Sequence, residues 1–194
     1  MQSRSAYHHG DLPATLVRTA IELLDENGSE ADLSLRAVAR SAGVSTGAPY
    51  RHFADRNALL SAVAAVGYRD LAAALEAAHP SPRDPSDLGE IAVAYVQFAI
   101  TRPGLFRVMF GGVCDADSPE RVDAIEAINA YLLDIVTRTM PSDTPETVAT
   151  GAWALVHGLA FLFLDGKLDS SSSEFVSSTV RSVVTATLRA RTEA

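Results

Sequence analysis

Apolar residues recur at three- and four-residue steps along almost the whole chain of 194 residues, and no stretch alternates strictly between apolar and polar. The pattern predicts an all-α protein of about nine helices. The first runs from Leu12 to Asn27, with Asp11 and Pro13 at its start, Leu16, Ala20, Leu23 and Leu24 on one stripe, and Gly28 at its end. Two short helices follow, Leu35 to Ala42 and Thr46 to Phe53, separated by Gly43, Val44 and Ser45. Asp55 then caps a long helix to Ala78, striped by Leu60, Val63, Gly67, Leu71, Ala74 and Ala78. The segment His79 to Asp87, "HPSPRDPSD", has three prolines and no large apolar residue, which marks a joint. Beyond it the spacing predicts helices over Leu88 to Arg102, Gly104 to Phe110, Pro119 to Met140, Pro145 to Asp165 and Glu174 to Arg191.

The two short helices hold the first candidate chemistry. Ser34 can cap the first, whose Leu35, Val38 and Ala39 point one way; Gly43 ends it, Val44 turns inward and Ser45 caps the second. Two short helices joined by a turn of this length form a helix-turn-helix, whose second helix fits a major groove. Ser45 and the first-turn amides suit a phosphate, and the small Thr46, Gly47 and Ala48 let the backbone approach base edges. Tyr50, Arg51, His52 and Arg56 offer donors to phosphates, with Arg36 on the preceding helix. Pro49 lacks the N–H that a helix beginning at Thr46 would use, so a tight or distorted first turn is expected there.

Charge sharpens this reading. The formal net charge is −8, which opposes indiscriminate adhesion to nucleic acid or membrane. Yet the segment Arg36 to Arg56 carries four arginines against the single acid Asp55, so the positive charge gathers where a groove-sized helix is expected. The single cysteine, Cys114, excludes an intramolecular disulfide and suits a reducing compartment. The N-terminus "MQSRSAYHHGDL" has no apolar core of a secretory signal. The longest strongly apolar run, Trp153 to Leu164, is twelve residues, against roughly 20 needed to span a bilayer. A cytoplasmic protein without membrane contact is expected.

From Tyr7 to about Ala78 the chain resembles the N-terminal domain of the tetracycline-repressor (TetR) family of bacterial transcription regulators. The resemblance is carried by "LSLRAVARSAGVSTGAPYRHFADRNALL", Leu33 to Leu60, with Tyr50, His52 and Phe53 in the family's aromatic signature. It implies a three-helix DNA-binding domain in which Leu33 to His52 read the duplex and Tyr50 and His52 touch phosphate. Two departures stand out: Arg56 replaces the Lys of many relatives, and Pro49 replaces a commoner apolar residue, which bears on the target sequence. The opening "YHHGDL" resembles that of a subset of relatives, and Tyr7, His8 and His9 read equally as a DNA-contacting arm or a solvated tail.

In the second half, "WALVHGLAFLFL" is apolar nearly all round, so its helix must be covered on more than one face. The last helix has its own stripe at Val176, Val180, Val183, Val184 and Thr187, and two helices from each of two copies would make a four-helix homodimer interface. Trp153, His157 and Gly158 resemble the Trp-His-Gly motif of one TetR C-terminal domain type. That resemblance implies homodimerisation through the last two helices and a chamber for a small-molecule effector. Candidate chamber residues are Tyr95, Phe98, Phe106, Met109, Phe110, Trp153, His157 and Phe161, although aromatic and methionine side chains at helical spacing also build plain cores. His157 is open between ligand, core and dimer seam. The "CDAD" segment reads as a solvated connection.

The expected organisation is a helix-turn-helix domain over residues 1–56, a linking helix over 56–78 and a ligand-binding and dimerisation domain over 79–194. The expected function is a dimeric transcriptional regulator, in this family usually a repressor, on a near-palindromic double-stranded operator and released by an effector. No nucleophile elbow, phosphate-cradling glycine loop or metal-ligand spacing points to an enzyme or a cofactor. The alternative is a ligand- or partner-binding helical protein with a degenerate helix-turn-helix, for which Pro49 is the supporting feature.

Overall fold

The structure, a computed structural model, describes residues 11–27, 29–31, 33–111, 114–115 and 117–192. Tyr7, His8, His9 and Gly28 lie outside the described residues. Eight α-helices are present among the described residues: α1 (Leu12–Asn27), α2 (Leu35–Ser41), α3 (Arg56–Ala78), α4 (Leu88–Thr101), α5 (Pro103–Phe110), α6 (Pro119–Thr139), α7 (Pro145–Leu164) and α8 (Ser173–Thr192). The helix expected over Thr46 to Phe53 is not an α-helix. Only Pro49–Arg51 is regular there, as one turn of 3-10 helix.

The long α3 organises the molecule. Its N-terminus is capped by Asp55, whose Oδ1 accepts from Ala58 N at 2.9 Å. It packs on α1, α4, α5 and α6. This crowding buries Leu59, Leu60, Val63, Ala64, Ala65, Gly67, Tyr68, Leu71 and Leu75, a wider band than a single stripe, while Ala78 stays exposed. Gly67 marks the tightest approach: a Cβ there would sit 2.7 Å from Met109 Sδ of α5.

Polar groups tie the layers together. Arg102, where α4 turns into α5, pairs with Asp70 of α3 at 2.8 Å and Asp25 of α1 at 3.1 Å. Arg181 of α8 binds Glu90 of α4 through both carboxylate oxygens, at 2.6 and 2.9 Å. The Cys114–Asp115 connection is less solvated than expected. Buried Ser61 accepts from Asp115 N at 2.8 Å and donates to Asn57 O at 2.9 Å, and Cys114 is half-buried.

By length and composition α3 and α7 are apolar enough to cross a membrane, a longer reach than the twelve-residue run suggested. α3 owes this to its place in the core. In α7, however, only 22% of the most apolar window is buried.

Candidate functional site

The first candidate site begins at α2. Ser34 Oγ accepts from Ala37 N at 3.1 Å, the expected cap, and Leu35, Val38 and Ala39 are buried. Gly43 turns the chain with φ 68°, a conformation glycine adopts without a Cβ penalty. From there the backbone closes short turns: Ala48 N to Ser45 O at 2.9 Å, Arg51 N to Ala48 O at 3.2 Å, His52 N to Pro49 O at 2.9 Å. The cap position therefore falls on Ala48 and not on Ser45. The physical cause is local: Pro49 brings no N–H to the ladder, and Gly47 is a poor helix former.

This tight segment sorts its side chains cleanly. Pro49 and Phe53 are buried and anchor it, so Pro49 packs inward although it was expected among the DNA contacts. Tyr50 is 51% exposed, and Ser45, Thr46, Gly47, Arg51 and His52 are exposed around it, with Ala48 half-buried. Arg36 and Arg40 are exposed on α2. Arg56 differs from the expectation. Its Nε donates to Leu33 O at 2.8 Å and its Nη2 to Glu30 O at 2.7 Å, so it clamps the chain before α2 onto α3.

The second candidate site is a cavity of about 670 Å³ walled by α3, α4, α5, α6, α7 and α8. Of the eight expected chamber residues, Tyr95, Met109, Phe110 and Trp153 line it. Phe98, Phe106, His157 and Phe161 do not. Phe98 is buried with the Arg102 guanidinium 5.7 Å from its ring centre, and Phe106 is fully buried. His157 sits among rings, with centres 4.6 Å from Phe110 and 4.9 Å from Phe161.

His157 buttresses the wall. Burial lowers its pKa, so the imidazole is neutral near pH 7, and its Nδ1 lies 2.8 Å from the Tyr95 hydroxyl. The Tyr95 hydroxyl thus joins His157 to Trp153, whose Nε1 donates to it at 3.3 Å. The Tyr95 phenol is pushed upward, mainly by burial, and stays protonated.

The sequence reading missed the polar lining: Tyr68, Arg121, Asn129, Tyr131, Thr147 and Thr187. A signal existed. Arg121, Ile125, Ile128, Leu132 and Ile135 recur on one face of α6, but a search restricted to aromatic and methionine positions passes over them. Among the described residues no cluster of three His, Cys, Asp or Glu is placed to hold a metal.

The profile for bacterial regulatory proteins of the tetR family matches residues 16–63, and the profile for the tetracyclin repressor-like C-terminal domain matches residues 88–186. The chain belongs to the TetR family. It is a DNA-binding transcriptional regulator, in a family whose members bind DNA and small-molecule ligands. Among solved structures, a Rhodococcus sp. RHA1 protein of unknown function is 34% identical, with a TM-score of 0.76 over 93% of this chain and 97% of its own. A tetR-family regulatory protein from Rhodococcus RHA1 is 21% identical, with a TM-score of 0.64 over 89% of this chain and 94% of its own. The regulator LfrR from Mycobacterium smegmatis, solved in complex with proflavine, is 20% identical, with a TM-score of 0.63 over 89% and 93%. The last two show likeness of fold alone. No curated protein matches the chain.

Proposed function

We propose that this TetR-family regulator is a cytoplasmic homodimeric repressor, released from a near-palindromic operator by a small molecule bound in the α3–α8 cavity. Residues 1–56 act as the reading unit and 79–194 as the ligand and dimer unit, with α3 between them. Ser45, Thr46, Gly47 and Ala48 approach the bases, while Tyr50, Arg51, His52 and Arg36 meet the phosphates. Arg56 serves by holding the reading segment in place.

One observation carries the proposal: α3 belongs to both sites. Asp55 at its start directly follows the reading segment, and Tyr68, Leu71 and Leu75 farther along line the cavity. A helix of 23 residues is about 35 Å long, so a tilt set by the occupied cavity displaces the reading segment at its far end. The ion pairs of Arg102 with Asp25 and Asp70 transmit the same movement to α1. In a dimer the two reading segments must lie about 34 Å apart; an effector acts to the extent that it prefers another spacing.

The dimer seam falls on α7 and α8. Trp153, Leu162 and Phe175 are 40%, 43% and 49% exposed, and a Cβ added at Gly151 or Gly158 would meet nothing within 4 Å. A bare apolar face with room for close helix approach suits a second copy. The test is fluorescence anisotropy with duplex DNA from upstream of the regulator's own gene. Tight, salt-sensitive and sequence-selective binding is expected; equal binding to scrambled DNA at every salt concentration refutes the operator role.

A further inference from the structure

We propose that the effector is an elongated amphipathic monocarboxylate, with its head on Arg121 and its apolar tail along α6. This rests on the reading of the cavity as a ligand site and names the chemistry it takes.

Among the described lining residues Arg121 is the single charged side chain. Its Nε is buried without a hydrogen-bond partner, and no ion pair among the described residues includes it. Arg121 as a whole is half-buried, and a guanidinium that is partly withdrawn from water with no counter-charge beside it favours an anion brought to it. The groups beside it supply none. Tyr68 and Cys114 interact with Arg121, but burial pushes the phenol up to about 12 and the thiol up as well, so both are neutral at pH 7. A bound anion would supply the counter-charge that the described neighbours lack.

The rest of the cavity defines what carries that charge. One cation matches one negative charge, which favours a carboxylate over a phosphate dianion. Carboxylate also presents the two oxygens that a guanidinium fork engages. From Arg121 the same face of α6 continues through Ile125, Ile128 and Leu132, all lining the cavity. Tyr131, ten positions beyond Arg121, has a buried hydroxyl without a hydrogen-bond partner, roughly 15 Å away along the axis at 1.5 Å per residue. The volume of about 670 Å³ holds some twenty groups of water size, at roughly 30 Å³ each. A head at one end and a chain of about a dozen carbons fits these dimensions.

The test uses the full-length protein and three probes of equal length: dodecanoate, dodecan-1-ol and dodecylammonium. Binding is followed by the fluorescence of Trp153, the only tryptophan, which lines the cavity. Dodecanoate is expected to bind at least about tenfold more tightly than the alcohol, the worth of one charge-assisted hydrogen bond, and the ammonium most weakly. Arg121→Gln should bring dodecanoate down to the level of the alcohol. Equal binding of acid and alcohol by the wild type, no binding of any probe, or a preference that survives Arg121→Gln overturns the proposal. If that variant does not fold, the wild-type comparison still decides. DNA release is measured in parallel. Selective dodecanoate binding without release defeats the repressor reading and leaves this one standing, whereas release by acid and alcohol alike does the reverse.

Discussion

The two halves are built from the same apolar residues at the same helical spacing, yet one is solid and the other hollow. Around the start of α3, Leu16, Leu24, Val38, Leu59, Leu60 and Val63 are fully buried and fill their space. Between the end of α3 and α6, α7 and α8, comparable residues surround a cavity of about 670 Å³. The difference lies in helix length and neighbours. The short α2 packs on α1 and the 3-10 turn on α2, whereas the twenty-one-residue α6 and the twenty-residue α7 border a space that side chains alone do not close. Under the proposed function, the solid module would present a fixed surface to DNA and the hollow one would change shape when filled.

The largest expected effect tests solidity directly. Leu60→Ala should cost about 3 kcal/mol of stability by urea denaturation, because its packed surroundings collapse little. Ile128→Ala on the cavity wall should cost about 1 kcal/mol, since its side chain has less packing to lose. Equal losses would show that the hollow module is as tightly packed as the solid one.

Next comes the surface that the solid module holds. Tyr50→Ala combined with Arg51→Ala should weaken operator binding about 100-fold by anisotropy, two phosphate contacts at roughly 1.5 kcal/mol each. The melting temperature should hardly change because both side chains are exposed. On the hollow module, Leu162→Glu should raise the dissociation constant of the proposed dimer at least about tenfold in sedimentation analysis, by placing a charge in its proposed apolar seam.

Smaller effects probe the boundary between the two. Gly67→Ala drives a Cβ against Met109 Sδ. Because Met109 lines the cavity it can yield in that direction. Alanine's better helix propensity, about 1 kcal/mol, offsets the crowding, so stability should stay within about 1 kcal/mol while probe affinity in the cavity falls.

The smallest effect concerns His157, whose pKa burial holds below its ordinary value of about 6.5. Below that pH the unfolded chain takes up a proton that the folded chain resists, so stability declines as pH falls. The melting temperature of the wild type should therefore drop more between pH 7.5 and 5.5 than that of His157→Asn.

Most of the fold was legible because its signals are local. Caps such as Ser34 and Asp55, the breakers Gly43, Pro85 and Pro103, and the repeat of Leu and Val fix each helix within a residue or two. The failures have local and non-local causes. Pro49 and Gly47 together reduced the expected second helix to one 3-10 turn, a distortion expected at its start whose extent depends on Pro49 and Phe53 finding burial. Arg56 read as a phosphate donor until the carbonyls of Glu30 and Leu33, more than twenty positions away, came within its reach.

By itself the sequence determined the all-helical architecture, the family and the clustering of arginines between Arg36 and Arg56, because periodicity, capping and motif residues act over a few neighbouring positions. Which apolar residues face a cavity was decided only when six helices from distant parts of the chain came together. The same holds for Phe106 and His157 being wall supports, and for Arg121 being the one charged side chain among the described residues of the cavity lining. Side-chain periodicity states that a face is covered and not by what. Burial and electrostatic pairing are properties of the assembled neighbourhood, and only the tertiary structure supplies it.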